Sequence, residues 1–357
     1  MKKKHLLIAL LSIAAVAMTG FAVLAEPAGN TLTRPQGRVA DKSPKIAVAY
    51  VVDRYEAVPD PNMFTHLVYS FGNFNDAYDG VVIKYPEKLK AMAELKKRNP
   101  ELKVILGLND YRKPGFSEMT SDKKKRKSYV NSVKKIVEEY GLDGVDLDWE
   151  FPTTEKGGHT ARPDDDKNYV KLAKELRKAL GKDKWISYYS NNSGQWIDHK
   201  GMLPYVSYVN VSGYNLAIPQ EGKTLLHQSP LYPGKKTGDW CVSKAIERHM
   251  NLGIPKEKLL MGIPFFGRGL KPFKSETSCI DFSKYDAGLE KVWAEDAQAP
   301  YYADRDGNLI LGYDDERSIA AKFDFIRAND LPGVFVWQYD GDFDGHELGR
   351  TIERLRK

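Results

Sequence analysis

The chain has 357 residues, and its 54 Lys and Arg against 48 Asp and Glu give a formal net charge of +6. This near balance argues against a nucleic-acid partner, because nucleic-acid binding needs a concentrated basic face. The one dense basic run, Lys123 to Lys127, is better explained as the solvated side of a helix. The seven His residues show no metal-ligand spacing, and no Gly-x-Gly-x-x-Gly or Gly-x-Ser-x-Gly occurs. We therefore expect no metal and no cofactor.

The first 25 residues have the pattern of a secretory signal peptide. Lys2, Lys3 and Lys4 precede an apolar run from Leu6, and small residues lead to cleavage near Ala25. The apolar stretch is short and no Cys follows it that could carry a lipid, so no stable membrane anchor is predicted. The sequence thus predicts a secreted protein, extracellular or periplasmic.

Residues 26–44 are rich in Pro, Gly, Thr and charge, which indicates a flexible N-terminal linker. From residue 45, β-branched or aromatic runs alternate with segments of helical period. The runs predict eight strands: 46–52, 67–71, 104–108, 144–149, 185–189, 208–212, 259–263 and 334–337. Alternating strands and helices predict a (β/α)₈ TIM barrel of the α/β class as one domain, 45–357.

The candidate catalytic residues lie on and just after the fourth predicted strand. Asp146, Asp148 and Glu150 alternate with apolar residues, so their side chains share one face of the strand. Crowded acids raise one another's pKa, and this keeps one carboxyl protonated at neutral pH. The strand therefore indicates general acid catalysis.

The run Asp143-x-x-Asp146-x-Asp148-x-Glu150, followed by Phe151-Pro152, resembles the signature of glycoside hydrolase family 18, the chitinases and their relatives. The resemblance extends to Thr65-His66-Leu67, to residues 262–268 and to Trp337. It implies a TIM barrel, and residues 267–313 resemble the small α+β insertion that many chitinases carry between the seventh strand and the following helix. No second domain is needed.

The resemblance also implies roles for individual residues. Retaining glycosidases usually use a second carboxylate as nucleophile, whereas in family 18 the 2-acetamido oxygen of the substrate attacks and forms an oxazolinium ion. Glu150 would then be the acid, Asp148 would orient the acetamido N–H, Asp146 would share a proton with Asp148, and Tyr214 would bind the acetamido oxygen. The candidates for substrate binding are Trp337, Asn215, Arg268, Tyr50 and Trp149.

Two departures from the family pattern affect the site. Gly107-Leu108-Asn109-Asp110 stands where the family commonly has Ser-x-Gly-Gly, so the serine that helps hold the buried aspartate is missing and Asn109 is a candidate substitute. Asn215 replaces the usual Asp after the catalytic tyrosine. The loss of that charge would lower the pKa of Glu150 and shift the pH optimum downward.

These features predict a secreted, endo-acting, retaining hydrolase that cleaves β-1,4-linked N-acetylglucosamine in chitin or chito-oligosaccharides. Two alternatives stay open: an endo-β-N-acetylglucosaminidase acting on N-glycan cores, and a non-catalytic, lectin-like chitin-binding protein. We expect a monomer whose partner is a carbohydrate, although the sequence does not determine the oligomeric state.

Two further motifs have alternative explanations. Cys241 and Cys279 would lie in an oxidising compartment, where they form either a disulfide or two free buried thiols. Asp340-Gly-Asp342-Phe-Asp344-Gly345 resembles a calcium loop, but its twelfth position is Thr351, so a loop and a helix N-cap are favoured over a metal site.

Overall fold

The computed structural model describes residues 32–37, 39, 44–110, 113–156, 158–216, 227–235, 237–269, 288–342 and 346–357. The predicted signal peptide and most of the predicted linker lie outside these residues. Within these ranges, no helix combines the length and the apolar character needed to cross a membrane.

The eight barrel strands begin and end close to the residues that the sequence predicts, and five further short strands occur. In chain order they are β1 (Ile46–Val52), β2 (His66–Phe74), β3 (Val81–Val82), β4 (Lys103–Asn109), β5 (Gly144–Asp148), β6 (Trp185–Ser190), β7 (Tyr208–Val211), β8 (Leu259–Pro264), β9 (Arg268–Gly269), β10 (Glu290–Ala294), β11 (Ala299–Ala303), β12 (Leu309–Gly312) and β13 (Gly333–Trp337).

Eight helices connect or follow these strands in the described ranges. They are α1 (Pro86–Glu94), α2 (Phe116–Ser121), α3 (Lys123–Glu139), α4 (Asp165–Leu180), α5 (His199–Met202), α6 (Val242–Asn251), α7 (Glu316–Ala328) and α8 (Glu347–Arg356).

Eight parallel strands close into a barrel in the order β1-β2-β4-β5-β6-β7-β8-β13, with β13 pairing back to β1. The TIM-barrel prediction is therefore confirmed. In β4, β5 and β6 the register pairs Gly107 with Asp146, Asn109 with Asp148, and Asp146 with Ser187. Since all eight strands run in one direction, their carboxyl ends meet at one rim, where the active sites of such barrels lie.

The outer faces of the strands pack on amphipathic helices. In α3, Val130, Val133 and Val137 lie on one stripe and are buried, and Asp122 caps the helix by accepting hydrogen bonds from two backbone N–H groups. The basic run that opens α3 is largely exposed, as predicted, except for Arg126. Its guanidinium is buried and bound to Glu175 of α4 at 2.9 Å.

The predicted insertion contains a four-stranded antiparallel sheet in the order β10-β11-β12-β9. No helix occurs between residues 288 and 312, and residues 270–287 lie outside the described ranges, so the described part of the insertion is β-structure only. Asp304 accepts a backbone hydrogen bond from Asn308 in the β11–β12 turn, which forms the predicted hairpin.

The calcium-like segment is a helix cap in its described part. Asp342 accepts hydrogen bonds from the backbone N–H groups of Leu348 and Gly349 at the start of α8, at 3.3 and 2.7 Å. Its carboxylate is thus occupied by a helix N-terminus, as the sequence favoured.

Candidate active site

Asp146 lies inside the barrel, fully buried, at the centre of a hydrogen-bond network. Tyr50 of β1 donates to its Oδ2 at 2.7 Å, and Ser187 of β6 donates to its Oδ1 at 2.5 Å. Asn210 of β7 donates to the same Oδ1 at 3.0 Å and to the Tyr50 hydroxyl at 2.8 Å. Burial raises the pKa of Asp146 to about 6, although the bonds from Ser187 and Tyr50 act in the opposite direction.

Asp148 is the next acid toward the rim, and only one of its carboxylate oxygens is bound. Asn109 donates from Nδ2 to Oδ2 of Asp148 at 2.9 Å and to its backbone carbonyl at 3.2 Å. Oδ1 is buried and has no hydrogen-bond partner in the described part of the chain. Burial raises the pKa of Asp148 well above its usual range, and the charges of Glu150 and Asp146 raise it further. The free oxygen can accept a hydrogen bond from a ligand.

Glu150 comes two residues later, just past the end of β5. Burial raises the pKa of its carboxyl to about 7, and the charge of Asp110 adds to the rise. His159 lowers that pKa. A carboxyl with this pKa still holds its proton just below neutral pH and can deliver it to a leaving group.

His159 contacts the backbone of the acid itself. Its Nε2 lies 2.6 Å from the carbonyl oxygen of Glu150, and its Nδ1 lies 2.9 Å from that of Thr160. Carbonyl oxygens only accept, so a ring nitrogen that carries a hydrogen donates to the carbonyl it faces. The His159 side chain thus lies against the backbone of the acid residue.

Tyr214 and Trp337 form apolar walls around the acids. The Tyr214 ring packs edge-on against Phe266 and Phe335, with centroids at 5.6 and 6.1 Å. Burial raises the pKa of its hydroxyl well above the usual value, and Tyr189 and the nearby acids add to this effect, so the hydroxyl stays a donor. Trp337 stacks on Phe71 at 5.9 Å and meets Tyr50 edge-on at 5.7 Å.

Asn215 and Arg268 are joined across the rim. Arg268 of β9 donates from Nε to Oδ1 of Asn215 at 2.8 Å, and its guanidinium lies 4.8 Å from the Phe266 ring. The insertion therefore reaches the residue that follows Tyr214.

The structure corrects the assignment of Trp149 to substrate binding. Its side chain is fully buried just past the end of β5, where it stacks on Phe116 and meets Tyr169 edge-on, each with ring centroids 5.2 Å apart. Successive strand residues point to opposite faces, so a residue between Asp148 and Glu150 points away from the barrel interior. Trp149 belongs to the core between barrel and helices.

The missing serine is replaced in a different way from the one expected. Asn109 donates to Asp148, and Asp146 takes its hydroxyl donor from Ser187. A Cβ atom at Gly107 would lie 2.8 Å from the Phe71 ring and 2.8 Å from the carbonyl oxygen of Tyr69, so the site has no room for a side chain.

Sequence reasoning missed Ser187, Asn210, His159 and Asp110. For the first two a signal existed: each is a polar residue inside an apolar strand, and each has the alternation that points it into the barrel. For His159 and Asp110, which lie in loops, no periodicity predicts where the side chain points.

The last sequence predictions concern the cysteines and metals. Cys241 is buried just before α6, with its Sγ 3.5 Å from the Ser243 hydroxyl. Cys279 lies outside the described residues, so the disulfide stays a prediction. Among the residues that the structure describes, no group of three or more His, Cys, Asp or Glu residues is arranged to hold a metal ion.

A buried row of acids at the carboxyl rim of a TIM barrel, with an aromatic floor beside it, defines a glycoside hydrolase type of site. The family model for glycosyl hydrolases family 18 matches residues 45–342. The chain therefore belongs to this family, as a chitinase-like glycoside hydrolase.

The individual relatives have low sequence identity to this chain, but they match most of its length. The chain is 27% identical over 354 residues to probable chitinase 2 of Drosophila melanogaster, covering 82% of this chain and 68% of that protein. It is 25% identical to chitinase A1 of Niallia circulans over 71% of this chain, but spans only 42% of that protein. A family 18 N-acetylglucosaminidase structure from Paenibacillus barengoltzii is 28% identical with a TM-score of 0.78, covering 87% of this chain and 99% of that one.

Proposed function

We propose that this protein hydrolyses β-1,4-linked N-acetylglucosamine in chitin or chito-oligosaccharides, with retention of configuration and with the substrate's acetamido oxygen as nucleophile. Family membership and the similarity to chitinases support the substrate class. The observation that carries the mechanism is that three neighbouring acids, two on β5 and one just past its end, differ in their hydrogen-bond partners and in their pKa values.

Each acid has a different set of partners. Asp146 accepts three hydrogen bonds from protein side chains, so its carboxylate is occupied. Asp148 keeps Oδ1 unbound, which suits an acetamido N–H. Glu150 has a pKa of about 7, which suits a proton donor. A protein nucleophile would need a second free carboxylate facing Glu150 at roughly 5 Å, and both neighbouring acids lie on its own strand face.

The residues then act in sequence. Trp337 and Phe71 offer apolar faces to the cleaved sugar, and Tyr214 donates to the acetamido oxygen while Asp148 accepts from its N–H. The acetamido oxygen attacks the anomeric carbon as Glu150 gives its proton to the glycosidic oxygen. Water then opens the oxazolinium ion, and Glu150 takes a proton from that water, so the β-configuration is retained.

The test is product analysis with chito-oligosaccharides. We expect cleavage with a β-anomeric first product by NMR, inhibition by a thiazoline mimic of the intermediate, and no turnover of a cello-oligosaccharide that lacks the acetamido group. Comparable cleavage of the cello-oligosaccharide, or an α-anomeric first product, would show that another nucleophile operates.

The likeness to an N-acetylglucosaminidase structure supports a second candidate, an endo-β-N-acetylglucosaminidase that cleaves the chitobiose core of N-glycans. The same three acids and Tyr214 would serve both reactions, because both cleave beside an acetamido group. Sugars released from chito-oligosaccharides compared with those from an N-glycoprotein separate the two candidates.

A binding protein without activity is less consistent with this site, since a proton donor at Glu150 is needed for cleavage and not for binding. Secretion after removal of residues 1–25 fits a polymeric substrate that stays outside the cell. Mass spectrometry of the N-terminus of the exported protein tests cleavage near Ala25.

A further inference from the structure

We propose that His159 is a positioning residue for the reaction: its imidazole ring holds the backbone of Glu150 so that the carboxyl of this residue lies in place to protonate the glycosidic oxygen. The inference rests on the proposed function, since it concerns the proton donor of that same site. It assigns a role to a buried side chain that the mechanism described above does not use.

Glu150 lies beyond the residues that the sheet holds in place. The register pairs β5 with β4 up to Asp148 and with β6 up to Leu147. The acid follows two residues after the last of these pairs, so its backbone needs another support. A displacement of roughly 1 Å at a reacting group can cost about 10²-fold in rate, which makes that support important for a proton donor.

The ring of His159 gives this support through a direct contact. Its Nε2 lies 2.6 Å from the carbonyl oxygen of Glu150, and its Nδ1 lies 2.9 Å from the carbonyl oxygen of Thr160. Only 5% of the residue is exposed. A hydrogen on Nε2 donates to the Glu150 carbonyl. Because the ring is buried and faces a carbonyl oxygen on each side, its position fixes that of the Glu150 backbone.

The loop that carries His159 is anchored on α2. The Thr160 hydroxyl donates to Oε1 of Glu118, and Arg162 donates from Nη1 to the Ser117 hydroxyl at 2.6 Å. Both acceptors lie in the first turn of α2. The residues that follow His159 are thus held by a helix, and the place of the ring does not depend on the end of β5.

Two variants separate the contact with Glu150 from the other contact of the ring. In His159→Asn the amide nitrogen takes the place of Nδ1, so the contact with the Thr160 carbonyl survives and the contact with the Glu150 carbonyl is lost. In His159→Gln the longer side chain brings an amide N–H to the place of Nε2. The first variant should misplace the acid, and the second should restore most of its function.

The readout is the dependence of kcat/KM on the leaving group, measured with two aryl β-chitobiosides of similar shape. Phenol needs a proton from Glu150 to depart, whereas dinitrophenol departs as the anion. His159→Asn should lower kcat/KM by roughly 10–100-fold for the phenyl glycoside and by less than about threefold for the dinitrophenyl glycoside. His159→Gln should bring the phenyl value to within about fivefold of wild type. An equal loss on both substrates, or no loss on either, overturns the proposal.

His199→Asn is the matched control, because it removes the same kind of contact from a different loop. His199 is also buried, and its Nε2 lies 2.9 Å from the carbonyl oxygen of Gly194, which follows β6. That loop does not carry the acid, so any loss of activity should be equal for the two aryl glycosides. A leaving-group dependence as large as that of His159→Asn would assign the effect to general loosening of the rim and overturn the proposal. If His159→Asn does not fold, His159→Ser supplies the comparison.

A measurement without substrate separates this inference from the proposed function. Long-range ¹H–¹⁵N NMR of the wild-type imidazole rings, assigned by the signals lost in His159→Gln, should show that Nε2 of His159 carries a hydrogen. An Nε2 without a hydrogen refutes the inference alone, as does an equal loss on both glycosides in an active variant. A wild type that leaves chito-oligosaccharides and both aryl glycosides intact refutes the proposed function and, with it, the role of His159 in catalysis.

Discussion

Asp146 and Asp148 share one face of β5 and Glu150 follows just past its end, yet the neighbouring strands and loops give each acid a different role. Asp146 receives its partners from β1, β6 and β7, whereas Asp148 receives one from β4 and keeps an oxygen free. Glu150, past the strand end, is tuned by the loops that carry Asp110 and His159. The alternation of side chains along the strand places the acids, and their hydrogen-bond partners and neighbouring charges determine their protonation.

Glu150→Gln should reduce kcat by roughly 10²–10⁴-fold, because the amide keeps the size of the side chain but cannot donate the proton to the leaving group. Binding of a chito-oligosaccharide, measured by calorimetry, should survive. Activity within tenfold of wild type in a clean preparation would remove Glu150 from the mechanism.

Asn215→Asp should move the alkaline limb of the pH–rate profile upward, since it places a negative charge beside Tyr214 and near Glu150. The move should stay below one unit, because Arg268 already binds this side chain and would pair with the new carboxylate. Arg268→Gln in the Asn215→Asp background should enlarge the shift. A downward shift would contradict the charge argument.

At the scale of elements, the rim near Tyr214 is held from outside the barrel. Lys322 of α7 is fully buried and bound to Asp314 at 2.5 Å, just after β12. It also donates to the Ser229 hydroxyl at 2.6 Å, which in turn donates to the carbonyl oxygen of Gly213. This chain of bonds ties the insertion, α7 and the loop before Tyr214 into one unit.

Lys322→Met should lower the free energy of unfolding by about 3–5 kcal/mol, because it leaves the Asp314 carboxylate buried without its cation. The double variant Lys322→Met with Asp314→Asn should recover part of the loss. Urea denaturation measures both. A single variant as stable as wild type would show that the bond between Lys322 and Asp314 does not stabilise the fold.

At the scale of the whole molecule, the buried acids of the site lower the free energy of unfolding at neutral pH. Burial raises the pKa of Asp110, Asp146, Asp148 and Glu150 in the folded chain. The folded state then binds more protons than the unfolded state between about pH 4 and 7, and stability falls as pH rises through that window. The arrangement that keeps a catalytic proton also destabilises the fold at neutral and alkaline pH.

Glu150→Gln should therefore raise the free energy of unfolding by about 3 kcal/mol at pH 8 and change it little at pH 4, where both forms are neutral. Glu139→Gln, an exposed position on α3, is the control and should show no such pH dependence. Equal effects of Glu150→Gln at the two pH values would contradict the assignment of a raised pKa.

The sequence alone determined the barrel and the row of acids, because both follow from local periodicity: alternation within strands and apolar stripes on helices. Strand register, which the sequence does not display, decided that Ser187 and Asn210 bind Asp146 and that Asn109 binds Asp148. Trp149 also shows the difference between what the sequence predicts and what only the structure reveals. Its alternation already placed it opposite the acids, and only the packing on Phe116 and Tyr169 showed that no substrate reaches it.

The roles of Asp110 and His159 could not be predicted from local patterns in the sequence. Both lie in loops, where no repeat links side-chain direction to sequence, and both act on the pKa of Glu150. A pKa depends on burial and on the charges assembled around a group, and these exist only once the chain is folded. The sequence identified the acid, and the tertiary structure decided at what pH that acid holds its proton.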